Sequence, residues 1–140
     1  MSLTRFNEAH KYSYRTALRE IQSGRKCSCW MWYIFPQIAG LGRSSTAQYY
    51  AIADFQEAVD YVNDKVLGKH LIEISEALLE LDTSDALAVF GSPDNMKLKS
   101  SMTLFAEAAP EQQVFIKVLD KFFHGDKDKE TLRLIKSRHE

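Results

Sequence analysis

Cysteine is nearly absent from this sequence: its 140 residues include two, Cys27 and Cys29. Neighbours that close make a poor structural disulfide, and no second cysteine pair is present to complete a zinc site. A reducing, cytoplasmic setting is the simplest expectation. Charge of a dominant sign is also missing. The formal net charge is −1, so no global field draws in a nucleic acid polymer or an anionic membrane. No apolar run approaches the roughly 20 residues that span a bilayer. The opening MSLTRFNEAHKY is polar and charged, which argues against a secretory signal. Met1 to Leu3 read as vector-derived and are set aside. No linker, repeat or low-complexity tract divides the chain. His10, His70, His124 and His139 are scattered without HxxxH or HExxH spacing, so neither a metal site nor a cofactor is expected.

What remains is an ordinary globular mixture, 45% hydrophobic and 26% charged. That is enough apolar material for one core in a single domain over residues 1–140. The pattern is helix after helix. Phe6, Ala9, Tyr14, Ala17, Leu18 and Ile21 recur at helical spacing over 4–23, and Gly24 is a natural stop. The aromatic run WMWYIF is one or two helical turns or a short buried strand, ended before Pro36. Gly40 and Gly42 mark a loop over 36–43. Ser44, Ser45 or Thr46 can cap a short helix reaching Ile52. Asp54 with Glu57 resembles a capping box for a helix to about 63. Residues 67–81 form the clearest amphipathic helix, with Leu71, Ile74, Leu78 and Leu81 in one stripe. Thr83 or Ser84 caps a turn through Phe90, closed by Gly91. Ser92-Pro93 opens a helix over 94–109, and Pro110 opens one through Phe122 that Gly125 ends. Asp128 caps a last helix bearing Leu132 and Ile135. The expectation is an all-α, compact multihelical domain of seven or eight short helices.

Three stretches, GRKCSCWMWYIFPQIAGLGRSS, FGSPDNMKLKSSMTLF and FHGDKDKETLRLI, resemble a bacterial family, the domain of unknown function catalogued as eighteen-ten. The resemblance runs from Phe6 to Ile135. It implies a small all-helical fold and a bacterial cytoplasmic protein, and no established activity. Members often carry the label calpastatin, yet no disordered inhibitor repeat occurs here. The family usually has histidine just before the first tryptophan, where this chain has Cys29. If that histidine does acid–base chemistry, this chain uses the thiol instead or lacks the step. More loosely, the family is similar to the NAD- and ADP-ribose-associated domains, small helical proteins that cleave N-glycosidic bonds. No motif of theirs aligns here residue by residue, and the likeness is one of fold.

The residues themselves offer several candidates, each with a structural alternative. Six large side chains run from Trp30 to Phe35. They are either core or an aromatic wall, on which stacking is worth roughly 1–3 kcal/mol per base. Gln37 and the loop AGLGRSS follow. The glycines would let backbone N–H groups approach a ligand, Arg43 offers a fork for phosphate or carboxylate, and Ser44 begins a helix. The loop is equally a tight turn with a cap. On the helix over 94–109, Asp94, Lys97, Ser100 and Ser101 lie near one another. Lys97 could polarise a serine or hold an anion, or the serines could serve close helix packing. Arg25 and Lys26 stand near Cys29 and favour its reactive thiolate form, against a half-buried structural thiol. Glu8, Glu20 and Glu57 are possible general bases that nothing in the sequence pairs.

Two functional readings result. In the first, residues 30–43 and 94–101 form an aromatic-lined cleft for a phosphorylated or nucleotide-like small molecule. Trp30 or Trp32 would stack the base, Arg43 would hold phosphate, and Asp94 or Glu20 would activate water for N-glycosidic hydrolysis. In the second, the chain is a non-catalytic protein-interaction module that binds a protein partner or a second copy of itself, using aromatics and arginine as anchors.

Overall fold

The computed structural model describes residues 3–139, with side chains as far as Ser137. Met1 and Ser2, two of the three residues read as vector-derived, lie outside the described residues, as does Glu140. Nine helices are present among the described residues, rather than seven or eight: α1 (Thr4–Gln22), α2 (Met31–Ile34), α3 (Ser45–Tyr50), α4 (Phe55–Asn63), α5 (Leu67–Leu79), α6 (Ala86–Phe90), α7 (Asp94–Ala108), α8 (Val114–Phe123) and α9 (Lys129–His139). The count rises because two ambiguous stretches both close helical turns. The aromatic run forms the single turn of α2. Residues 86–90 form α6 once Asp85 Oδ1 accepts the N–H groups of Leu87 and Ala88. The described residues contain one isolated parallel bridge, Ile38 with Ile52.

Several helix ends follow local chemistry. Ser44 Oγ accepts Ala47 N–H at 3.1 Å, Asp54 Oδ1 accepts Glu57 N–H at 2.9 Å, and Asp128 Oδ2 accepts Thr131 N–H at 2.9 Å. Each satisfies a backbone donor that the first helical turn leaves unpaired. Three ends differ from expectation. Asp85, rather than Thr83 or Ser84, caps α6. Pro93 itself occupies the cap position of α7, with no side-chain bond. Pro110 lies in a turn, and α8 begins four residues later at Val114.

α5 is central. Leu71, Ile74 and Leu78 are fully buried, and the helix packs against α1, α4 and α8. α7 is buried on nearly every side from Leu98 to Ala106, enclosed by α4, α6, α8 and α9. A helix enclosed in this way tolerates Ser100, Ser101 and Thr103 because small side chains let neighbours approach, and because such hydroxyls can bond back along the helix. Thr103 Oγ1 does so to Lys99 O at 2.8 Å. No described helix is long and apolar enough to cross a membrane.

The arrangement that matters for the site is α1 beside α5. His10 meets His70 and Tyr14 meets Glu73, so the two helices run in the same direction. Parallel neighbours need a long connection, and α2, α3 and α4 occupy it. Arg5 anchors that connection. Its guanidinium donates to Tyr49 O, Ala51 O and the Glu57 carboxylate at 2.8–2.9 Å.

Candidate functional site

The two segments singled out from the sequence do meet. Trp32, Gln37 and Lys97 line one depression together with Met31, Ile38 and Tyr50. Its volume is about 10 Å³, room for a single water. Trp30 is 1% exposed and packs against Phe35 and Phe90, with its Nε1–H donated to Glu20 Oε1 at 2.8 Å. The lysine ammoniums lie over the indoles, Lys26 5.1 Å from Trp30 and Lys97 5.7 Å from Trp32. Asp94 joins the lysines, 2.9 Å from Lys26 and 3.6 Å from Lys97.

The remaining candidates separate. Arg43 and Ser44 are exposed and do not line that depression. Ser44 is occupied as a cap, and Arg43 O accepts Gln48 Nε2–H at 2.9 Å. Ser100 donates to Met96 O at 3.3 Å. Ser101 is fully buried, and its Oγ has no hydrogen-bond partner among the described residues. Cys29 is exposed. Glu20 accepts four hydrogen bonds, from the Cys27 and Ser28 N–H groups, the Ser28 hydroxyl and Trp30. Burial alone would push its carboxyl up, but these donors outweigh burial and bring it down to about 2. A carboxylate so engaged is a weak proton acceptor. It pins the chain after α1 to the tryptophan instead.

A larger opening lies between α1 and α5. It measures about 550 Å³, and its lining includes His10, Tyr14, Arg15, Lys69, His70 and Glu73. His10 and Tyr14 are one turn apart on α1; His70 and Glu73 are one turn apart on α5. The His10 and His70 rings are coplanar within 1°, with their Nδ1 atoms 2.9 Å apart. The Tyr14 ring stacks on His70 at 3.6 Å. Its hydroxyl donates to Glu73 Oε1 at 2.5 Å and lies 3.2 Å from His70 O. Behind His10, Nε2 is 2.9 Å from Tyr33 O and 3.2 Å from the Tyr61 hydroxyl, which itself donates to Tyr33 O at 2.9 Å.

This environment shifts the titrating groups. Burial lowers His10 to about 4, assisted by the neighbouring His70 and opposed by the bond to Tyr33. Burial also lowers His70, with Glu73 pulling it up and Lys69 pushing it down. Burial, and then the bond to the Glu73 carboxylate, hold Tyr14 protonated well above the usual phenol range. Both imidazoles are therefore neutral at pH 7. Three cations, Lys11, Arg15 and Lys69, rim the opening against one acid, Glu73. Among the described residues no group of three or more His, Cys, Asp or Glu is arranged to hold a metal ion.

None of these cleft residues was a site candidate from the sequence, where His10 and His70 read as scattered histidines and Tyr14 as part of an apolar stripe. A signal was present: His10 lies on the same helical face as Phe6, Tyr14 and Ala17, all of them buried. A histidine on an apolar stripe needs a partner, but the stripe does not say which helix supplies it.

Fold and site together define a small all-α protein with a polar, histidine-bearing cleft between two parallel helices. Within that class, the chain belongs to the family described as Protein of unknown function (DUF1810), which matches residues 1–135. It is similar to the crystal structure of the conserved hypothetical protein Rv1873 from Mycobacterium tuberculosis, with 39% identity over 96% of each chain and a TM-score of 0.93. No curated protein matches the chain.

Proposed function

We propose that this protein binds a small anionic molecule, phosphorylated or nucleotide-like, in the cleft between α1 and α5. The observation that carries this reading is the cleft itself. It is about 550 Å³, within the range of roughly 300–1,000 Å³ typical of small-molecule sites. It is rimmed by Lys11, Arg15 and Lys69 on a chain whose net charge is −1. Glu73 is the one opposing charge in that lining, and it is engaged by Tyr14. Tyr12 stands at the edge, 84% exposed, free to cover a base or sugar. The contrast with the depression beside Trp32 and Lys97 is one of size, since that space accepts about one water.

N-glycosidic hydrolysis is the first reaction to test on a bound nucleotide, because the cleft holds a neutral imidazole, His70, able to take a proton from water. Calorimetric titration with inorganic phosphate, ribose 5-phosphate and nucleoside monophosphates tests the binding, and base release tests the reaction. The expected result is saturable binding that weakens about tenfold in Lys69→Ala or Arg15→Ala, as loss of one charge-assisted contact would produce. Absence of heat and of NMR perturbation around α1 and α5 at millimolar ligand would overturn it.

A further inference from the structure

We infer that His70 presents an unprotonated Nε2 to the α1–α5 cleft, and that the ligand there carries an O–H or N–H group that donates to it. This rests on the proposed ligand cleft and specifies its ligand. A chain of donors and acceptors running from α2 through α1 to α5 fixes the tautomer. Tyr33 O is a backbone carbonyl and can only accept. His10 Nε2 sits 2.9 Å from it, so that nitrogen carries the hydrogen. The Tyr61 hydroxyl spends its own hydrogen on the same carbonyl, so it accepts from His10 Nε2 rather than donating to it. A neutral imidazole has one N–H, and His10 Nδ1 is consequently the lone pair. His70 Nδ1 lies 2.9 Å from that lone pair and must donate. By the same count the remaining nitrogen of His70, Nε2, is the acceptor.

A carbonyl on α2 thus sets the tautomer of a side chain on α5, through one ring of α1. Burial keeps His10 from taking a second proton, which would reverse the chain. In water, histidine favours the opposite tautomer, with hydrogen on Nε2; the protein selects the rarer one. His10 and Tyr33 are positioning groups here, and His70 is the proton acceptor.

Proton transfer completes the reading. The Nε2 lone pair forms an N–H bond as the ligand's O–H, or that of a bound water, breaks. The electron pair stays on oxygen, and the positive charge rests on the His70 ring. That ring keeps its Nδ1–H bond to His10, now charge-assisted. Glu73 offsets the new charge, while Lys69 opposes it. Lys11 and Arg15 on the facing helix also line the space and attract the anionic part of the ligand away from the imidazole.

Ring-nitrogen NMR on histidine-labelled, full-length protein reads the tautomers without any ligand. The expected spectrum has His70 protonated at Nδ1 and bare at Nε2, and His10 the reverse. On acidification the proton adds at His70 Nε2. In His10→Phe the His70 tautomer reverts to Nε2–H; in Tyr61→Phe, where the carbonyl is retained, it does not change. Nε2–H in the wild-type protein overturns the inference whatever the variants do. Glycerol phosphate and propyl phosphate then test the ligand class, because they share an anion and differ in hydroxyls. Glycerol phosphate is expected to bind about tenfold more tightly, the worth of one good hydrogen bond, and to shift His70 Nε2. Equal binding with Nε2 unshifted overturns the donor requirement. If neither binds while the tautomers are as stated, the cleft reading fails and the tautomer assignment stands.

Discussion

His10 combines burial, a fixed tautomer and a lowered proton affinity, and these make acid stability a single-residue property. Its folded-state pKa of about 4 compares with 6.5 in the unfolded chain. Between those values the unfolded chain binds a proton that the folded chain does not. The contribution is therefore complete above pH 6.5 and is lost as pH falls toward 4, by about 3 kcal/mol in all. His70 is shifted in the same direction and adds to the loss. Glu20 follows lower down, its stabilisation present above 4.5 and lost toward 2. Urea unfolding stepped from pH 7 to pH 4 should show falling stability. His10→Gln should flatten much of that slope, leaving the part due to His70; an unchanged slope would refute the assignment. The local signals at this scale were legible where a residue acts on its own helix. Asp54 and Asp128 read as caps and are caps, and of the three candidates Ser44, Ser45 and Thr46 it is Ser44 that caps α3. Glu20 did not read as a receptor for four donors, because those donors come from a loop whose path only the folded chain defines.

At the scale of elements, the junction of α4 and α5 turns on Gly68. A Cβ built there would lie 1.9 Å from Val62 O, a backbone atom. Alanine would normally favour the helix by about 1 kcal/mol over glycine. Here the clash dominates, since forcing atoms into a filled space costs roughly 1–3 kcal/mol or more. Gly68→Ala should lower stability by about 2 kcal/mol net in chemical denaturation. Gly24 offers the contrast: its backbone is left-handed with open space around it, so alanine there costs roughly 1–2 kcal/mol from backbone conformation alone. Helix positions were legible at this scale because apolar spacing and caps are local. The starts of α6, α7 and α8 were less so. Thr83, Ser84, Ser92 and Pro110 are all acceptable starting residues, and tertiary packing chose among them.

At the scale of the molecule, Arg5 and Glu57 hold the long connection against α1. Both side chains are buried, their charged groups 2.8 Å apart. Glu57 also accepts Ala53 N–H at 2.9 Å. Removing one partner strands the other charge, so Glu57→Ala should cost roughly 3–5 kcal/mol. Replacing both, as in Arg5→Met with Glu57→Leu, should recover part of that loss, because a buried ion pair is often near neutral against apolar residues of similar size. Recovery remains incomplete because Arg5 also serves two backbone carbonyls. A double-mutant cycle in urea measures the coupling, and additive losses would refute it. Tyr50, flanked by the Tyr49 and Ala51 carbonyls that Arg5 holds, packs its ring against Tyr33 with centroids 5.0 Å apart.

The amino-acid sequence determined the all-helical class, most helix positions, two caps and the family, because helical period, capping and motif identity are written within a few residues of each other. It also marked Trp30 to Phe35 and Lys97 as unusual, and these do come together. Only the tertiary structure decided that their meeting point is nearly filled, and that a histidine-bearing cleft opens between α1 and α5. The reason is register. Whether His10 faces His70 depends on how two helices, joined through a long connection, slide against each other. That offset is set by packing of the whole core, and no local spacing encodes it.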